Sequence, residues 1–188
     1  MNNNGNSKCR QGGFTLIELI VVFTVIAILS TIGTASFVSY SHTQALNQAA
    51  SDLVQNLNLA KSLSASQLKT FNQNGNTYVQ CQNQSLSGYG VYISASQASS
   101  DYHYSMYIAC ITETGVMSKH PDPASSNPLQ IKLPTGIVID SPTNMDIFFP
   151  VLSGGIISTG GNSIVLRSAY SGTSSKTIDF SKGYISIK

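Results

Sequence analysis

Two hydrophobic textures divide the chain. From Phe14 to Val38 apolar residues fill 17 of 25 positions, and Glu18 is the only charge. From Leu46 the pattern turns periodic: Leu46, Ala50, Leu53, Leu57 and Ala60 alternate steps of four and three, with Val54, Leu59 and Leu63 widening the stripe. That spacing predicts an amphipathic helix, and with no proline or glycine between Tyr40 and Phe71 the helix is expected to run on from the apolar segment to about Leu68. After Asn72 short β-type runs take over: Thr77 to Gln82, Tyr89 to Ser94, Tyr102 to Ile111, Leu129 to Leu133, Ile137 to Asp140, Asp146 to Phe149, Ser163 to Ser168, Lys176 to Ser181 and Tyr184 to Lys188. Turn signals such as Asn74-Gly75-Asn76, Gly154-Gly155, Gly160-Gly161-Asn162 and Lys182-Gly183 separate them, which predicts antiparallel sheet and an α+β fold. Pro121, Pro123 and Pro128 mark a loop.

The apolar segment is long enough to span a bilayer. As a helix its 25 residues reach about 37 Å, against a hydrocarbon core of about 30 Å. Lys8 and Arg10 precede it, and no acid occurs before Glu18, so the N-terminus is expected in the cytoplasm. From Phe14 onward eight basic residues balance eight acidic ones, so net charge advertises neither a nucleic-acid nor an acidic partner. A cleaved secretory signal ending near Gly33-Thr34-Ala35 is one reading of the segment, but the run is long for one and holds a carboxylate. A plain membrane anchor accounts for length and orientation. It leaves Glu18 unexplained, although a charge in lipid costs roughly 2.5 to 3.5 kcal/mol on insertion scales.

The string Gln11-Gly12-Gly13-Phe14-Thr15-Leu16-Ile17-Glu18 resembles the prepilin signature of type IV pilins and type II secretion pseudopilins. The resemblance implies that a membrane-embedded prepilin peptidase removes residues 1–13 by cutting Gly13-Phe14 and methylates the amine of Phe14. It also implies that Glu18 is an assembly residue meeting that amine in a bundle of like helices. The physics agrees with such a role: the new α-amino group is costly to leave unpaired in an apolar setting, and Phe14 and Glu18 stand i, i+4 on one helical face. A pair of this kind sets register more than it adds net stability, since desolvation offsets most of the Coulomb gain.

Two departures stand out. The proline that many pilins carry near the end of the apolar stretch is replaced here by Thr34-Ala35-Ser36-Phe37, leaving Gly33 as the local softener. Farther on, Asp52 to Gln67, the strand with Cys81, the stretch Ile147 to Ser168 and the closing Lys176 to Lys188 are similar to GspH/FimT-type minor pilins and pseudopilins, with Lys61 where that group's helix motif has arginine. The implied organisation is a leader (1–13), a transmembrane and assembly helix (14–38), an amphipathic helix (39–72) and an antiparallel β head of one or two sheets (73–188).

Cys9 lies in the leader, and Cys81 and Cys110 remain as an even pair on the outer side of the membrane, where a disulfide between them is expected in preference to two buried free thiols. A metal site built from His103 and these cysteines lacks a fourth ligand. Catalytic patterns are weak. His42, His103 and His120 have no nucleophile beside them, Ser66 and Lys69 form a Ser-x-x-Lys without companion motifs, and Gly154 to Gly161 fits no phosphate-binding fingerprint. No active site and no cofactor are expected.

Two function classes remain. One is a structural subunit of a type IV pilus or type II secretion pseudopilus. The resemblance gives it other subunits, prepilin peptidase and an inner-membrane assembly platform as partners, and places it first in the bacterial inner membrane and then in the extracytoplasmic filament. The other is a DNA-binding minor pilin of natural transformation. Arg167, Lys176, Lys182 and Lys188 against Asp179 give the last 22 residues +3, and Tyr184 could stack on bases. The Gly-Arg-x-Arg motif of DNA-binding relatives is, however, Gly183-Tyr184-Ile185-Ser186 here.

Overall fold

A computed structural model describes residues 13–73, 76–79, 81, 84–94, 102–120, 130–170 and 174–188, with backbone only at 32–36, 70–73 and 76–79. Lys8, Cys9, Arg10 and the prolines at 121, 123 and 128 fall outside the described residues. One helix, α1 (Leu16–Ser66), is followed by strands β1 (Thr70–Gln73), β2 (Asn76–Val79), β3 (Ser85–Ser94), β4 (His103–Ile111), β5 (Met117–His120), β6 (Gln130–Lys132), β7 (Ile137–Ser141), β8 (Asn144–Pro150), β9 (Ile157–Thr159), β10 (Ser163–Ser168), β11 (Ser175–Asp179) and β12 (Ser186–Ile187). The fold is α+β, as expected. Chain contacts divide it into two units, Met1–Tyr40 and Ser41–Lys188.

In the second unit a helix stripe and two sheets share one core. Leu46, Ala49, Ala50, Leu53, Leu57 and Ala60 are buried in a cluster that also holds Tyr89, Val91, Ile93, Tyr104, Met106, Ile108, Met145, Ile147 and Phe149 of the larger sheet and Ile137, Ile139, Ile164, Leu166 and Ile178 of the smaller. Each full-sized aliphatic side chain withdrawn from water there contributes roughly 1.5 to 3 kcal/mol. The larger sheet runs β5-β4-β3-β8-β9 with β6 on the same flank of β4 as β5; the smaller runs β12-β11-β10-β7, and β1-β2 form a separate hairpin. All pairings are antiparallel.

Leu59 corrects the sequence reading. It is 43% exposed because it stands two residues from Leu57, about 200° around the helix, and so faces away from the core. The helix also ends two residues early. Gln67 adopts φ 55° and its N–H bonds to Ser64 O at 3.3 Å, a left-handed stop that a helix cannot pass. Strands β1, β5 and β9 were not expected, whereas Cys81 lies beyond β2 rather than within it, at φ 61°.

Polar contacts fasten the helix to the sheets. Asn56 Nδ2 donates to Tyr104 OH at 2.7 Å, Ser64 Oγ donates to Phe149 O at 2.7 Å, and Lys61 Nζ donates to Gly183 O at 3.0 Å. Burial pushes the Tyr104 and Tyr89 hydroxyls up to about 12, and the Tyr89 O–H donates to Leu68 O just past the helix end. A disulfide joins Cys81 to Cys110 of β4 with 5.5 Å between Cα atoms. Lys69 Nζ secures the same junction by donating to Gln84 O at 3.1 Å.

On the opposite face of the larger sheet, side chains form a strap across four strands. Tyr107 of β4 lies over Gly90 of β3, its register partner, and its O–H donates to Asp146 of β8. Lys119 of β5 also pairs with Asp146, and its ammonium sits 4.7 Å from the centre of the Tyr107 ring. Burial, with Asp146 beside it, pushes the Tyr107 hydroxyl far up. Only glycine leaves room for the ring, since a Cβ at Gly90 would stand 2.1 Å from Tyr107 Cζ.

Gly90→Ala should therefore displace the ring and break its bond to Asp146, lowering unfolding free energy by roughly 1 to 3 kcal/mol. Tyr107→Phe, which keeps the ring, should cost about 1 kcal/mol. Denaturant titration of the detergent-solubilised chain checks the order, and an Ala variant as stable as wild type would remove the strap from the account.

Candidate functional site

The residues expected to serve processing and assembly, Gly13, Phe14 and Glu18, lie in the first unit. Gly13, Phe14 and Thr15 precede the helix, which begins at Leu16. Thr15 O accepts from Leu19 N–H at 3.2 Å and Thr15 Oγ1 accepts from Glu18 N–H at 3.3 Å, so Thr15 is the N-cap. Thr15-x-x-Glu18 has the form of a capping box, with an acid at the third helical position where the helix dipole favours negative charge. The contiguous string Thr15-Leu16-Ile17-Glu18 carries this signal by itself.

From Leu16 to Leu29, Glu18 apart, the helix surface is apolar on every side. Phe14 is 81% exposed, and Leu16, Ile17, Leu19, Ile20, Val21, Val22, Phe23, Val25, Ile26, Ile28 and Leu29 are all exposed too. A helix apolar all round is built for burial in lipid or among other helices. Its hydroxyls are ready for such surroundings: Thr24 Oγ1 donates to Val21 O at 2.8 Å, Ser30 Oγ to Ile26 O at 2.8 Å and Thr31 Oγ1 to Ile28 O at 2.7 Å. Each is satisfied within the helix, so none needs water or a partner. That isolates the Glu18 carboxylate as the group whose desolvation is costly. Among the described residues no helix is long and apolar enough to cross a membrane. The helical stretch with described side chains that starts at Leu16 ends at Thr31, about 24 Å against about 30 Å of hydrocarbon.

Residues 8–34 match the prokaryotic N-terminal methylation motif. The matched segment is the one whose residues resemble the prepilin signature of type IV pilins and pseudopilins. No curated protein and no solved structure matches the chain at a significant level. The matched segment takes in Gly13, Phe14, Thr15 and Glu18, so the unwound Gly13-Phe14 bond, the cap and the acid all fall inside it.

The four C-terminal cations are not gathered into one patch. Arg167 pairs with Asp140 at 3.0 Å and Lys188 with Asp179 at 2.5 Å. Lys188 and the Ser181 donors hold the Asp179 carboxyl well below the usual carboxylate range, and Asp179 in turn raises Lys188. Asp140 lies outside the tail that was counted as +3; the β7-β10 ladder, which sets Val138 opposite Arg167, brings it near. Lys176 stands opposite buried Leu166, so by pleat alternation it points to the other face from Arg167. Lys182 and Tyr184 are exposed on the turn before β12.

The weaker candidates have structural explanations. Ser66 Oγ donates to Leu63 O, while Lys69 Nζ reaches the carbonyls of Cys81 and Gln84, so the two do not act as a dyad. His42 stacks on Tyr170 with 4.3 Å between rings, and His120 Nε2 lies 3.0 Å from Ser118 Oγ. The disulfide takes both cysteines away from any metal, and among the described residues no cluster of His, Cys, Asp and Glu could hold one.

Wild-type protein should therefore retain duplex DNA only weakly, and Asp140→Asn with Asp179→Asn, which frees Arg167 and Lys188, should tighten binding. Fluorescence anisotropy over a salt series checks this, with log-log slope steeper by about two. Tight wild-type binding that the double variant leaves unchanged would mean the ion pairs do not govern DNA contact.

Proposed function

We propose that this protein is a minor pilin or pseudopilin, a structural subunit of a type IV pilus or type II secretion pseudopilus with no active site of its own. Prepilin peptidase hydrolyses the Gly13-Phe14 bond, releasing residues 1–13 and leaving an α-amino group on Phe14, which then takes a methyl group from a methyl donor. Before assembly residues 14–38 span the inner membrane with the N-terminus in the cytoplasm, and the β unit lies outside. In the filament the same helix packs among those of other subunits, and Glu18 meets the Phe14 amine of a neighbour. A GspH/FimT-type minor role accords with Lys61, at the motif position, tying α1 to the turn at Gly183.

The observation that carries this reading is the first unit's surface. From Leu16 to Thr31 it is apolar on every face with the hydroxyls of Thr24, Ser30 and Thr31 satisfied, except for one carboxylate four residues after Phe14, inside the segment that matches the methylation motif. Such a helix needs an apolar environment, and such a carboxylate needs a cation inside it. The amine released at Phe14 is the nearest cation that processing can supply. DNA binding gains no support from cations already paired with Asp140 and Asp179.

N-terminal mass analysis of protein taken from membranes should find a chain that begins at methylated Phe14. An intact leader, or a start after Ala35, would falsify the assignment. Glu18→Gln should leave insertion and cleavage unchanged, because the amide is less costly in lipid and the scissile bond is untouched, yet incorporation into filaments should fall by about tenfold or more, as expected for an amine left buried without its partner. Comparison of cleaved and filament-borne fractions in the native host checks this; normal incorporation would remove the pairing role.

A further inference from the structure

We propose that Thr15 is a positioning residue for leader removal: by capping α1 it starts the first helical turn just downstream of the Gly13-Phe14 bond and keeps that bond unwound. The inference rests on the reading of the chain as a prepilin-peptidase substrate and adds a residue whose duty is conformational. Three observations carry it. Thr15 makes both bonds of an N-cap, main-chain O to Leu19 N–H and Oγ1 to Glu18 N–H. Gly13, Phe14 and Thr15 are non-helical, and Gly13 is exposed with nothing among the described residues within 4 Å of where a Cβ would stand. The methylation motif covers this same segment, so an enzyme is expected to act where the backbone is free.

The chemistry explains why helix start matters. Hydrolysis adds water across the amide, giving a carboxylate on Gly13 and an amine on Phe14, and the enzyme must reach the Gly13 carbonyl from outside the chain. An amide wound into a helical turn has that carbonyl committed to an N–H four residues on and is shielded by neighbouring side chains. Without the Thr15 hydroxyl the next upstream residue with a preference for capping is Gly13. A cap at Gly13 would make Phe14 the first helical residue and draw the scissile bond into the first turn. Thr15 thus holds the boundary where cleavage requires it. After the cut Glu18, at the third helical position, offsets the new positive charge at the positive end of the helix dipole.

The test follows leader removal from the full-length precursor in pulse-labelled cells that contain the peptidase, with the product identified by mass. Thr15→Ser keeps a capping hydroxyl and should be cut at the wild-type rate. Thr15→Val keeps the shape but loses the hydroxyl and should be cut about five-fold more slowly, the factor to which a lost cap corresponds. Adding Leu16→Pro to Thr15→Val should recover the rate, since proline at the first helical position fixes the start without a hydroxyl. Carbonate extraction confirms that each variant is inserted, and Thr15→Ala replaces Thr15→Val if the latter is not. Cleavage of the Val or Ala variant at the wild-type rate would overturn the proposal. So would a Ser variant as slow as Val, or a Pro double variant that stays slow, because the enzyme would then be reading the side chain itself. Failure of the underlying prepilin reading is separate: the wild-type chain would itself stay uncut at Gly13.

Discussion

The packing of one helical stripe against two sheets is the constraint from which the second unit follows. Leu46, Leu53 and Leu57 are wholly buried, and the strands that meet them, β3, β4 and β8 on one side and β7, β10 and β11 on the other, supply residues to a single continuous cluster. Neither sheet could hide its apolar face in water alone. The helix supplies the missing surface, with Ala49, Ala50 and Ala60 buried beside its leucines. The polar contacts at Asn56, Lys61 and Ser64 settle orientation once burial has settled proximity.

The same helix obeys a different rule at its beginning. From Leu16 to Leu29 no face is favoured, and the hydroxyls of Thr24, Ser30 and Thr31 turn inward to carbonyls of their own helix. One element thus carries two solvation programmes: a sided one where sheets are its partner, and an unsided one where lipid or other helices must be. Glu18 is the exception to the second. An unsided apolar surface fixes no register, and a lone carboxylate is the one feature on it that can.

What the sequence made legible was local. The prepilin string reads from contiguous residues, and the stripe at Leu46, Ala50, Leu53, Leu57 and Ala60 reads from helical period. Leu59 is hydrophobic but stands at an angle off the stripe, and Gln67 hides the helix end because nothing in glutamine announces a left-handed turn. Strands β3, β4, β8, β10 and β11 carry enough β-branched and aromatic residues to be seen, whereas β1, β5 and β9 are three- or four-residue pieces, mostly polar. The strap of Tyr107, Lys119 and Asp146 over Gly90 was out of reach, since only sheet order brings those positions together. So was Asp140 beside Arg167. The disulfide was legible as an even pair, though not the bend that places Cys81 outside a strand.

The fastenings of α1 to the sheets have a mechanical meaning. Asn56 to Tyr104, Lys61 to Gly183 and Ser64 to Phe149 lie within nine residues of helix, about 12 Å of axis, and they sit beside the wholly buried Leu53 and Leu57. A force drawn along the helix axis would load these bonds and the interdigitated core side by side, in shear, instead of opening them one after another like a zipper. Bonds that share load must yield nearly together, so the unit should resist an axial pull far better than a pull that peels a strand from a sheet edge. A chain with this construction is strong along the direction of its helix and weak across its edges.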